Sequence, residues 1–94
     1  MDIAKAISAL DSPFRREILK ILVERPVTVA DVLSRLKAKG HVAKYRETVY
    51  RALEILVDSG LVEKYYDREK GLCYKLSLNR ITIEIRKNGL EMGE

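Results

Sequence analysis

An α+β fold, helices first and strands after, is predicted by three observations. Residues 47–76, ETVYRALEILVDSGLVEKYYDREKGLCYKL, read as an amphipathic helix stopped by Gly60 and followed at once by two short strands around the charged turn Asp67-Arg68-Glu69-Lys70-Gly71. Upstream lie shorter helical stretches, each with its own start and stop signals. Downstream, a second period-two segment surrounds an Asn-Gly pair. This order of elements is that of a winged helix-turn-helix, expected here with about four helices, a β-hairpin wing and an additional C-terminal β-hairpin.

Asp2 is placed to cap a first helix carrying Ile3, Ala6, Ile7 and Leu10 on one stripe, at i, i+3, i+4 and i+7. Ser12-Pro13 is an N-cap followed by proline at the first helical position. The second helix runs on through Phe14, Ile18, Leu19, Ile21 and Leu22 and ends before Pro26. Thr28 and Asp31 have the spacing of a capping box, opening a third helix with Val29, Val32, Leu33 and Leu36 inward and Gly40 as its stop. After the link His41-Val42-Ala43, a fourth helix is expected from about Lys44 to Ser59. Val49, Ala52, Leu53 and Leu56 form its buried stripe, and Glu47, Tyr50, Arg51 and Glu54 fall opposite. In the strands, Leu72, Tyr74, Leu76 and Leu78 alternate against Cys73, Lys75 and Ser77. Of the adjacent Tyr65 and Tyr66, one should face the core and the other solvent.

The tail alternates again. Ile81, Ile83 and Ile85 interleave with Thr82, Glu84 and Arg86, then Asn88-Gly89 predicts a tight turn before Leu90 and Met92. A winged helix does not require this second hairpin. Each aliphatic chain gains roughly 1.5–3 kcal/mol on full burial, so five on one face call for a covering surface. Residues 1–94 are therefore expected to form one domain, with 10–78 as the core and 1–9 and 80–94 as candidate dimerisation elements. Their contact residues would be Ile3, Ile7, Leu10, Ile81, Ile83, Ile85, Leu90 and Met92.

A chain of 94 residues builds a modest core, and dimerisation is one way to enlarge it. No apolar run approaches the roughly 18 residues of a membrane span, and the N-terminus lacks the pattern of a signal peptide. A soluble cytoplasmic protein is the expectation. Cys73 and His41 are the single cysteine and histidine, too few for a disulfide or a structural zinc site in one chain, so no metal and no cofactor are expected. The absence of Gln and the abundance of Lys, Arg and Glu point toward a thermophilic source.

Net charge is +4, and its placement matters more than its size. From Arg35 to Arg51 six basic residues (Arg35, Lys37, Lys39, Lys44, Arg46, Arg51) face one acid, Glu47, giving +5 locally and −1 elsewhere. Concentrated positive charge is the footprint of a polyanion partner. The N-terminal half of the fourth helix offers Lys44, Tyr45, Arg46, Thr48, Tyr50 and Arg51, and the wing tip offers Arg68 and Lys70. Arginine grips guanine O6 and N7 with two hydrogen bonds, while Tyr and Thr suit phosphate or a thymine methyl. These eight residues are the candidate contacts to double-stranded DNA.

Two runs carry a family resemblance. LDSPFRREILKIL, residues 10–22, resembles the opening of arsenic-repressor type regulators, although Ser12 and Phe14 interrupt the leucine-aspartate-proline-arginine pattern. TVYRALEILVDSGLV, residues 48–62, resembles the recognition helix and first wing strand of winged-helix repressors, including the ferric-uptake regulator group. The resemblance implies a prokaryotic, archaeal transcription regulator that binds DNA as a homodimer and represses. The cysteine-rich motif of metal-sensing arsenic-repressor relatives and the histidine-rich metal domain of ferric-uptake regulators have no counterpart in these residues. Any effector is left unidentified.

No enzyme pattern emerges. His41 has no patterned nucleophile or orienting partner, the glycines sit singly at helix and turn ends, and no carboxylate pair lies in apolar surroundings. The alternative is a winged-helix module for protein–protein contact without DNA reading. The acids Glu47 and Glu54 on the reading face, and Asp67 and Glu69 in the wing, favour it.

Overall fold

The computed structural model describes residues 2–40 and 46–77, and the backbone alone of 82–86 and 89–93. The elements are α1 (Ile3–Leu10), α2 (Pro13–Glu24), α3 (Val29–Ala38), α4 (Arg46–Asp58), β1 (Val62–Asp67), β2 (Gly71–Leu76), β3 (Thr82–Arg86) and β4 (Gly89–Gly93). Four helices and an antiparallel hairpin make this an α+β winged helix.

Short polar side chains start the helices as the sequence predicts. Asp2 accepts from the Ala4 amide at 2.9 Å and Ser12 from the Arg15 amide at 3.2 Å. The capping box at α3 is complete, with Asp31 N–H donating to Thr28 Oγ1 at 3.1 Å and Thr28 N–H to Asp31 Oδ2 at 3.0 Å. α4 ends at Gly60, whose φ of 85° suits a residue without Cβ. The arginines of LDSPFRR also have a structural task. Arg15 Nε donates to the Ala9 carbonyl at 2.7 Å, and Arg16 Nη1 to the Leu10 carbonyl at 2.6 Å. They satisfy the last carbonyls of α1, which have no partner within their own helix.

The core lies between α2, α3, α4 and the base of the wing. Ile18, Ile21, Val32, Leu36, Val49, Leu53 and Leu56 are at or near full burial, with Tyr74 among them. β1 and β2 pair from Val62↔Leu76 to Asp67↔Gly71. A single bridge adds a third chain segment: Val27 N–H donates to the Tyr74 carbonyl at 2.9 Å, and Tyr74 N–H returns at 2.8 Å. The residue leading into α3 is thereby fixed to the wing.

Four expectations need correction. Leu10, expected at a dimer contact, is instead buried against the chain's own core with Ala6 and Ala9, while Ile3 and Ile7 stay 48% and 40% exposed. The two alanines have no long side chain to hold the backbone away, so the helix settles on that edge. Neither Tyr65 nor Tyr66 enters the core, because β1 leaves the helices after Val62 and the core position is taken by Tyr74 of the facing strand. In β2 the inward alternation fails at the tip, where Leu72 is exposed and Cys73 is buried. Leu72 extends beyond the helices, whereas Cys73 lies opposite Tyr65 in the register, where a large neighbour can cover a small one. In the second hairpin Gly89 pairs with Arg86 and belongs to β4 rather than to the expected turn, while Asn88 lies outside the described residues.

Candidate nucleic-acid interface

The first two turns of α4 carry Arg46, Glu47, Thr48, Tyr50 and Arg51, all exposed, above the buried Val49, Ala52 and Leu53. Lys44 and Tyr45 lie outside the described residues. Exposure does not continue along the whole outward face. Glu54 is covered where the wing crosses the helix: its Oε1 accepts from Lys64 Nζ at 2.9 Å and its Oε2 from Tyr74 Oη at 3.2 Å. Burial first, and then the Glu54 charge, push the Tyr74 hydroxyl pKa up. The Glu54 hydrogen bond and charge raise that of Lys64. Glu54, one of the four acids that weighed against DNA, is thus engaged in holding helix and wing together.

The wing tip is ordered by its own acid. Asp67 Oδ1 accepts the Glu69 and Lys70 amides at 2.8 and 2.9 Å. The Lys70 amide, followed by that of Glu69, holds the carboxyl below its ordinary pKa. Gly71, at φ 84°, closes the turn. Arg68, Glu69 and Lys70 remain exposed.

An open cleft of about 620 Å³ separates the starts of α3 and α4 from the wing. Arg46, Glu47 and Tyr50 line it from the helix, Lys70 and Leu72 from the wing, and Thr28, Val29 and Ala30 from α3. Of the predicted contacts, the structure brings Arg46, Tyr50 and Lys70 around this cleft. Thr48 and Arg51 lie beside it on α4, and Arg68 at the wing tip stands apart from the lining. The basic segment is smaller than the sequence suggested, because Arg35 forms an ion pair with Glu24 of α2. Hydrogen bonding to Arg35, and then its charge, lower the pKa of Glu24. Sequence reasoning missed the α3 residues in the lining, since the Val27–Tyr74 bridge and the packing of α3 on α4, both remote in the chain, bring them there.

Among the predicted dimerisation residues, Ile3 and Ile7 are exposed on α1 and Leu10 is buried in the chain's own core. Ile81 lies outside the described residues. In the second hairpin the register pairs Ile83 with Met92 and Ile85 with Leu90. Among the described residues, no three His, Cys, Asp or Glu side chains converge on a point that could hold a metal ion. No helix among them is long and apolar enough to cross a membrane.

A winged helix-turn-helix with an exposed helix start beside an ordered wing is the class this geometry defines. Among solved structures, the chain is similar to the ferric uptake regulator from Francisella tularensis, determined with iron. That match has 27% sequence identity and a TM-score of 0.61, and covers 88% of this chain and 67% of the other. No protein-family model matches the chain. No curated protein sequence matches it either. The likeness is to a transcription regulator and not to an enzyme. It supports a winged helix-turn-helix regulator in general rather than the arsenic-repressor type in particular.

Proposed function

We propose that the chain is a homodimeric transcription regulator that binds double-stranded DNA sequence-specifically in the cytoplasm and represses by occupying its site. The observation that carries this reading is the placement of Arg46, Thr48, Tyr50 and Arg51 on the exposed start of α4, with Lys70 across a cleft on the wing. An α4 start in the major groove would set Arg51 and Tyr50 against base edges, and Lys70 and Arg68 against flanking phosphates. The same reading gives Lys44 and Tyr45 phosphate or base contacts. Residues 10–78 act as the reading core of a single domain, and 1–9 and 80–94 supply the dimer contacts. On α1 this rests on Ile3 and Ile7, since Leu10 is already used internally. Ile81, Ile83, Ile85, Leu90 and Met92 complete the proposed contact.

Retention of bulk duplex DNA across a salt series tests the reading. Affinity should fall steeply with salt, and Lys70→Ala should flatten the log–log slope by about one unit while weakening all sequences alike. No retention down to about 50 mM salt would instead favour a protein-interaction module.

A further inference from the structure

We propose that Glu47 determines the base selectivity of α4, by fixing the orientation of Arg51 and by repelling acceptor atoms beside it. This inference rests on the DNA-reading assignment above. Arg51 Nη2 donates to Glu47 Oε1 at 2.7 Å, one helical turn apart. Both side chains are largely exposed, at 74% and 69%, so the pair contributes little to folding. Other acids near the cleft are engaged elsewhere: Glu54 with Lys64 and Tyr74, Asp67 with turn amides, and Asp31 with Thr28. Glu47 instead directs its charge to the Arg51 guanidinium, which the DNA-reading assignment sets against a base edge.

The carboxylate has two consequences. A guanidinium held from one side starts the encounter with fewer rotamers to lose, and still has further N–H groups for guanine O6 and N7. In addition, an ionised carboxylate only accepts hydrogen bonds. In the major groove cytosine N4 and adenine N6 are donors, whereas guanine O6 and N7 and thymine O4 are acceptors. Glu47 therefore favours an amino-bearing base next to the guanine read by Arg51 and opposes phosphates in misregistered complexes. Discrimination of this kind needs a repulsive element as well as an attractive one.

The test uses the full chain and a site selected from random duplex by the parent protein, with a scrambled duplex as competitor. Glu47→Gln keeps the shape and removes the charge. It should tighten binding to the scrambled duplex several-fold, lower the specific-to-scrambled ratio about tenfold, and relax the preference for cytosine or adenine beside the guanine. Glu69→Gln makes the same charge change at the wing tip and should move both duplexes alike, leaving the ratio intact. In an Arg51→Ala background, Glu47→Gln should lower the ratio less than in the parent, because only the repulsion of acceptors is then lost; an equal loss in both backgrounds would overturn the part played through Arg51.

The inference is overturned if Glu47→Gln leaves ratio and base profile within about twofold of the parent, or if Glu69→Gln reproduces its effect. Lost helix stability with an unaltered base profile would give Glu47 a merely structural role and overturn it equally. A selective parent with an unaffected Glu47→Gln sinks this inference alone. A parent that selects no duplex sinks the DNA-reading assignment and the inference with it.

Discussion

Replacing Tyr74 by Phe isolates the contact that holds the wing to α4. The Tyr74 ring is fully buried, and its hydroxyl donates to Glu54 at 3.2 Å. Phe keeps the ring and opens no cavity, so only the hydrogen bond is lost. A bond to a charged acceptor contributes about 1.5–3 kcal/mol. This one is long for an O–H···O contact, and Glu54 is part-exposed and retains Lys64. The cost should therefore lie at or below the bottom of that range, about 1 kcal/mol, or roughly 4–8 °C in Tm for a domain of this size. Tyr74→Ala, which also empties the ring's volume, should cost about 3–5 kcal/mol. Urea titration should show a lower midpoint at unchanged m value. Combined with Glu54→Gln, the loss should be less than additive. Additivity within ~0.3 kcal/mol, or a Phe variant as stable as the parent, would refute the tie between helix and wing.

Two other outcomes follow from the same contacts. Asp31 and Asp67 are held below the ordinary carboxyl value of 3.8, chiefly by the Thr28 amide and by the Lys70 amide respectively. Their native forms bind protons less readily than the unfolded chain, so their contribution is complete above about pH 4 and is lost as pH falls through the lowered native values. Urea midpoints at pH 7 and pH 3 should differ less in an Asp31→Asn, Asp67→Asn double variant than in the parent; equal differences would contradict the assignment. Ile3→Asp with Ile7→Asp changes two exposed side chains and should raise the dimer dissociation constant in sedimentation at least tenfold with the fold intact. An unchanged association would remove α1 from the proposed contact.

The helices were largely legible in the sequence because their signals are local. Asp2, Ser12 and Thr28 bond amides two or three residues on, and the stripe Val49, Ala52, Leu53, Leu56 follows from helical period alone. The wing's position and register were less legible because they depend on contacts remote in the chain. Tyr74 meets Val27 and Glu54, and no spacing rule announces either partner. The same distance hid the engagement of Glu54 by the wing and the pairing of Arg35 with Glu24, so the local charge overstated both the cations and the opposing acids of the site. Alternation likewise misplaced Leu72, since period two gives the face of a strand but not where the core beneath it ends.

Selection of binding sites from random duplex DNA, with the parent and Arg51→Ala compared side by side, tests the central claim most directly. The parent should enrich a roughly palindromic site whose half-sites lie about 34–36 Å apart. Arg51→Ala should lose preference at one position in each half, at a cost of about 1–3 kcal/mol. Enrichment of no sequence by the parent, or the same consensus at the same affinity from Arg51→Ala, would contradict the account.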